Sequence, residues 1–481
     1  MKQQEYLADF FQENQELFEQ AAERIWGYAE LRFEETESSK LLSGILEREG
    51  FAVEKGIAGI ETAFVASFGS EKPVISFLGE FDALSDLSQQ AGITEEKPIV
   101  AGGTGHGCGH HLLGTASLAA ALALKAYMKD HGLGGTVRFY GCPGEEGGSG
   151  KTFMAKEGVF ADIDSAITWH PGTYNAVWTM ETLANIQASF TFKGKASHAA
   201  SAPHLGRSGL DAVELMNVGV NYLREHLRDE ARVHYAITNT GGISPNVVQP
   251  EAEVLYLMRA PKIDEVKEIY ERVKKIAEGA ALMTGTEWSV RFDKACSNFV
   301  RNNVLEDVMS EELDVIGTPT YTEEEQQFAA QIQETLTEDE RKQTIHEIQA
   351  LLDRPNRKLI ESISQKALID DRIPTSRKET RLAGSTDVGD VSWIAPTVQC
   401  FTTCYTAGTA FHTWQMVSQG LNSVAVKGMM QAGLLMAATG LRLLQNPELV
   451  DEAKEEWRER LSGEVYQSPI PAGVQPTKIN Q

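Results

Sequence analysis

Four strand-like apolar runs, Thr62–Phe68, Pro73–Leu78, Thr136–Tyr140 and Ser165–Trp169, alternate with helical patterns over the first third of the chain. A long apolar helix pattern at about Leu112–Asp130 separates the second run from the third. A shorter one, Gly150–Glu157, separates the third from the fourth. Helices between strands carry the chain back across a sheet, so this order predicts an α/β domain with parallel members. Upstream, apolar residues recur at helical spacing through Leu17, Phe18, Ala21 and Ile25, and again through Leu41, Leu42, Ile45 and Leu46. That spacing predicts two amphipathic helices around the turn at 27–33.

From about Thr182 the pattern changes to strand, helix, strand, strand, helix, strand: Asn185–Phe192, Leu210–Arg228, Val233–Ile237, Ala252–Met258, Ile263–Leu282 and Trp288–Phe292. A βαββαβ order can fold as a compact inserted unit. It divides the 481 residues into the first part of a main domain (1–184), an insertion (185–297) and the second part of the main domain (298–481). Within the last, a charged stretch at about 320–381 includes TEEEQQF and TEDERKQ, and its charge pattern predicts a solvated helical insertion.

A formal net charge of −24 argues against nucleic acid or anionic membrane as a partner, because phosphate binding needs a basic surface. The opening residues lack the continuous apolar core of a secretory signal. The apolar stretches Leu112–Met128 and Met429–Leu444 carry Gly, Thr or Gln, or end at charged residues, and suit buried helices. The five cysteines show no paired framework, so a reducing cytoplasm is the expected location.

The chemistry gathers where strand-like runs end. Glu80 and Asp82 follow PVISFL as carboxylates at i and i+2, a pattern equally suited to capping. In His106-Gly-Cys-Gly-His-His111, a single glycine separates Cys108 from His110, so the turn can aim thiolate and imidazole at one point. The same cluster suits a phosphate-cradling loop, though no Lys-Ser or Lys-Thr follows, or a cysteine nucleophile. Glu145 and Glu146 lie side by side in a glycine-walled turn, where their charges repel unless cations absorb them. A metal would let one ligate while the other moves a proton; a solvated acidic loop is the plainer alternative. His170 ends a further strand and, alone, is as well read as structural. Ligand sites of open α/β sheets lie at the carboxyl ends of strands, so these groups together supply a metal centre that His412 could complete. The insertion adds donors, His198, Asn246 and Arg259, suited to a carboxylate or a developing oxyanion.

H-G-C-G-H, P-G-E-E-G-G, the histidine after the next strand, G-K-A-S-H-A, G-G-I-S-P-N-V-V and the late H-T form an ordered set. So do ANIQASFTFKG, HLGRSGLDAV and STDVGDVSW. This set resembles the metal-dependent aminoacylase and carboxypeptidase amidohydrolases, in the branch acting on N-acyl and indole-acetyl amino acids. The resemblance implies a metallopeptidase-like domain with a mixed, mainly parallel sheet, and a ferredoxin-like inserted domain serving as lid and dimerisation unit. It implies two divalent ions, Mn or Zn, with Cys108, His110, Glu146, His170 and His412 as ligands. Glu145 is then the general base and later the acid, and Asp82 orients a ligand histidine. His198 steadies the oxyanion in a partner's site, within a homodimer or a heterodimer with a related chain, and Asn246 and Arg259 bind the substrate carboxylate. The implied substrate is a small N-acyl amino acid such as an N-aroyl-glutamate. Two positions depart from the pattern: Glu80 stands where many relatives have His or Asp, and His111 where Asp is usual. Two other readings stay open, a thiol enzyme using Cys108 and a catalytically silent partner in a paired assembly.

Overall fold

The computed structural model describes residues 2–478. The chain opens with α1 (Lys2–Glu13), α2 (Gln15–Tyr28) and α3 (Thr36–Arg48). Three helices thus stand where two were expected. The extra break falls at Asn14, which leaves helical geometry (φ −106°, ψ 9°) and turns its side-chain amide back onto the Phe10 carbonyl at 2.8 Å. Next come β1 (Ala52–Lys55), β2 (Phe64–Gly69), β3 (Val74–Glu80), α4 (His110–His131) and β4 (Thr136–Cys142). The short helices α5 (Glu145–Gly148) and α6 (Gly150–Lys156) lead to β5 (Ser165–Gly172), β6 (Ala176–Val177) and β7 (Met180–Thr182).

The insertion comprises β8 (Ala184–Lys193), α7 (Gly209–Arg224), β9 (Arg232–Asn239), β10 (Glu251–Ala260), α8 (Ile263–Thr284) and β11 (Glu287–Cys296). The chain then returns through α9 (Asn303–Ile316), α10 (Glu323–Glu334), α11 (Glu338–Leu351), α12 (Arg357–Ile363), β12 (Thr380–Leu382) and α13 (Val388–Ser392). It closes with β13 (Thr397–Thr403), α14 (Trp414–Gln419), α15 (Ser423–Gln445) and α16 (Pro447–Leu461).

The main sheet has the order β1-β2-β4-β3-β5-β13-β6. Its four central strands, β4, β3, β5 and β13, run parallel, and the antiparallel pairings lie toward the edges. Strand β3 is buried along its whole length, as a strand covered on both faces must be. Helix α4 is buried on nearly every side between the sheet and α15, which explains an alanine- and leucine-rich sequence without a polar stripe. Helix α15 is long and apolar enough to cross a membrane, yet most of it is buried in the core. The β3, β4 and β5 termini place Glu80, Cys142 and His170 along one rim of the sheet.

The insertion forms a separate four-stranded antiparallel sheet, β11-β8-β10-β9, with α7 and α8 packed on it. Its edge strand β9 is mostly exposed, and Val218 and Tyr222 on α7 are exposed beside it.

The charged stretch 320–381 is helical but more than a solvated outgrowth. Two T-x-x-E sequences form capping boxes, Thr322 with Glu325 and Thr337 with Glu340, which start α10 and α11. Ala329, Ile332, Ile348 and Leu351 are buried, so each helix spends one face on the core. Thr344 on α11 bonds Thr173 and accepts from the Gly408 amide at 2.9 Å, bracing the loop that leads to His412.

Candidate metal centre

The Cys108–His110 turn depends on Gly109, whose φ of 80° suits glycine and which sits against other atoms. A Cβ there would meet the Tyr405 hydroxyl at 2.5 Å and the Pro171 ring at 2.6 Å. Gly144 (φ 69°) makes the matching turn before Glu145, with the Phe33 ring 2.8 Å from where a Cβ would stand. The opening loop holds this second turn from outside. Glu35 accepts from the Gly144 amide, and Arg32 donates to the Gly147 carbonyl while pairing with Asp293 of β11 at 3.2 Å.

Around these turns Cys108, His110, His170, Glu146 and His412 come together. Ligating atoms of Cys108, His110 and His170 lie within 4.8 Å of one another, as do those of Cys108, Glu146 and His412. Cys108 Sγ is 3.4 Å from His170 Nε2, and His412 Nε2 is 3.1 Å from Glu146 Oε1. The groups are oriented from behind. His110 donates from Nδ1 to Asp82 at 2.8 Å, while the other Asp82 oxygen accepts from the Glu146 amide at 2.9 Å. The Nδ1 of His170 donates to the Pro171 carbonyl at 2.9 Å, leaving Nε2 toward the cluster. His412 adopts φ 63°, a costly conformation for a residue with a Cβ.

Glu80 and Lys151 form a further layer. The fully buried Lys151 ammonium lies 2.6 Å from Glu80 and 2.5 Å from Asp387. The remaining Glu80 oxygen lies 3.3 Å from His110 Nε2, and Glu80, His110 and Glu145 make a third group of potential ligands. His111 faces away, its Nε2 donating to the Gly420 carbonyl at 2.8 Å, and His106 bonds the Ile25 carbonyl.

The donor set fits a divalent cation. His110 Nε2 is buried with no hydrogen-bond partner among the described residues, a lone pair or proton aimed at the cluster. Burial, and then the Glu146 charge, push the Cys108 thiol well above its usual range. Burial followed by the charges of Glu80, Asp387 and Glu146 does the same to Glu145. Burial would raise Glu146 too, but the hydrogen bond from His412 and the charge of His110 outweigh it and bring it to about 2. Burial, then the His110 charge, lower His170 to about 4, so its imidazole is neutral and able to ligate. Adjacent carboxylates pushed in opposite directions suit one ligand and one proton carrier.

A cavity of about 290 Å³ opens from Cys108, Glu145, Glu146, His170 and His412. Its walls include Trp178, Phe401, Phe411, Asn185, Arg259 and Lys294. Trp178 stacks on Phe401 at 4.8 Å between ring centroids, and Phe411 meets His170 edge-on at 5.2 Å. Arg259 reaches this cavity, whereas His198 and Asn246 stand exposed on the insertion and do not line it. Sequence reasoning missed Lys151, Lys294, Asp387 and the aromatic wall. Asp387 alone had a signal, within the STDVGDVSW segment.

Residues 183–283 match the model of the peptidase dimerisation domain. Together with the similarity that follows, this shows that the chain belongs to the M20 family of metal-dependent amidohydrolases and peptidases. It is 51% identical to one subunit of the p-aminobenzoyl-glutamate hydrolase of Escherichia coli strain K12, over 98% of each chain. It is also 28% identical to a differently named subunit of the same bacterium's hydrolase, over 50% of this chain and 57% of that one. Among solved structures, a dinuclear metal-binding peptidase of the M20 family from Bacillus subtilis shares the fold. That match has TM-score 0.55 and 16% identity, and covers 90% of this chain and 99% of the other.

Proposed function

We propose that this chain hydrolyses p-aminobenzoyl-glutamate to p-aminobenzoate and glutamate, using two divalent ions, Mn or Zn, held by Cys108, His110, Glu146, His170 and His412. The observation that carries this reading is one cavity with Cys108, Glu146, His170 and His412 at its floor, His110 grouped with Cys108 and His170 behind it, an aromatic wall and the guanidinium of Arg259. An aroyl ring suits Trp178, Phe401 and Phe411, and a carboxylate suits Arg259. The 51% identity to a relative named for this substrate supports the same choice.

The bound ions would polarise the scissile carbonyl and make water easier to deprotonate. Glu145, held above the ordinary carboxylate range by burial and neighbouring acids, takes the proton of the attacking water and passes it to the leaving amine. Asp82 keeps the His110 ring turned toward the cluster. His198 accepts at Nδ1 from the amides of Ala200 and Ser201, both at 3.2 Å, which leaves its proton on Nε2 as a donor for the oxyanion. Since His198 and Asn246 are exposed in one protomer, they would serve the site of a second one. The exposed β9 edge and the α7 residues Val218 and Tyr222 offer the pairing surface. The second protomer is another copy of this chain or a related one, since the two bacterial relatives are named as different subunits of one hydrolase.

The test is hydrolysis by the purified chain, with and without added Mn or Zn, on p-aminobenzoyl-glutamate, folate, indole-acetyl-aspartate and N-acetyl-glutamate. Metal-dependent release of p-aminobenzoate supports the reading. Activity on none of the four by metal-loaded chain would favour a silent partner. Activity abolished by thiol alkylation but untouched by chelation would favour Cys108 as nucleophile. Cytoplasmic location remains part of the proposal, in keeping with five unpaired cysteines.

A further inference from the structure

Burying a cation is costly unless a carboxylate answers it. Three other enclosed cations keep the rule. Lys151 has Glu80 and Asp387, Arg301 has Glu306 at 2.8 Å, and Arg32 has Asp293. Lys294 breaks it. Only 8% exposed, it lines the cavity and donates to the Glu146 carbonyl at 3.2 Å, and among the described residues no carboxylate lies within ion-pair distance of it. Arg259, on the same cavity, donates to the Ser385 hydroxyl at 2.9 Å and likewise has no carboxylate within ion-pair distance among the described residues. In a chain of net charge −24, two cations without an ion-pair partner among the described residues thus line the cavity that has Glu145 and Glu146 at its floor.

The backbone is shaped to deliver Lys294 there. Pairing of β11 with β8 runs Phe292 to Ala188 and then skips to Lys294 opposite Gln187, so Asp293 is the extra residue of a β-bulge. Bulges re-aim side chains. Here Asp293 turns to Arg32 and Gln187, and its neighbour Lys294 turns to the cavity. Beside them Asn185 Oδ1 is buried without a partner among the described residues, an acceptor available to a ligand N–H.

We propose that Lys294 is a specificity-determining residue that pairs with the side-chain carboxylate of an acidic leaving amino acid, while Arg259 holds its α-carboxylate. The inference rests on the N-acyl amino acid hydrolase reading above and deepens it. The site selects a dicarboxylic amino acid because a neutral one would leave a buried ammonium unanswered. A hydrogen-bonded charge contact of this kind is worth roughly 10- to 100-fold in discrimination.

The experiment compares kcat/KM for p-aminobenzoyl-glutamate and its neutral isostere p-aminobenzoyl-glutamine, using metal-loaded protein. Wild type favours the glutamate compound; in K294M the ratio of the two falls toward one, and K294R retains most of it. The ratio is the readout because Lys294 also touches the Glu146 carbonyl. A purely structural role would lower both substrates in parallel and leave the ratio intact, and that result overturns the proposal. An unchanged ratio with unchanged rates overturns it equally. If K294M does not fold, K294Q carries the same comparison. If wild type cleaves neither compound, the hydrolase reading itself fails and the inference falls with it.

Discussion

His110 gives its Nδ1 proton to Asp82 across 2.8 Å, and that bond decides which edge of the imidazole faces the other ligands. Asp82 holds the Glu146 amide with its second oxygen, so one carboxylate sets two members of the cluster at once. Asp82→Ala is expected to weaken metal binding about 10- to 100-fold. Titration of chelated protein with Mn or Zn measures this, and unchanged affinity would remove Asp82 from the site.

Glu145 and Glu146 are neighbours with opposite environments, one pushed up and the other down to about 2. Glu145→Gln is expected to keep its metal content and lose turnover by roughly 100- to 10,000-fold, the usual range for a general acid–base. Metal analysis beside steady-state rates separates the two effects. Near-normal turnover in the variant would reassign the base.

Lys151 is enclosed with Glu80 and Asp387, and removing it strands two buried carboxylates. Lys151→Met is expected to cost about 3–5 kcal/mol of unfolding free energy. Denaturant titration reads the loss as a lower midpoint; an unmoved midpoint would mean the carboxylates relax at little cost.

Thr344 ties α11 to the Gly408 amide and to Thr173, close in sequence to His412. Thr344→Val keeps the shape but leaves a buried amide unpaired, at about 1–3 kcal/mol. Weaker metal binding together with lower stability is expected. A loss of stability alone would confine the 320–381 helices to packing.

What could be read from the chain follows from how local each signal is. Cys108–His110 and Glu145–Glu146 sit in glycine turns that a few consecutive residues define, and the βαββαβ order of the insertion appears directly in its periodicity. Lys294 could not be read so: it reaches the cavity through a bulge in a strand whose partner lies more than a hundred positions away. Lys151 and Asp387 are single charges on different segments, and only the packing of α6 against α13 joins them. Phe401 lies in β13, a strand the sequence reading did not single out, and its ring closes the cavity beside Trp178. The 320–381 stretch misled because its acids mark helix starts and outer faces, while Ile332, Ile348 and Leu351 were too sparse to announce a buried one. The early break at Asn14 was hidden by apolar spacing that continues on both sides.

The most direct test is p-aminobenzoate release from p-aminobenzoyl-glutamate by protein stripped with chelator and then reloaded. The account predicts no turnover when stripped, recovery with Mn or Zn at about two ions per chain, and no recovery in His170→Ala or His412→Ala. Full turnover by the stripped protein, or full metal content in both variants, would contradict it.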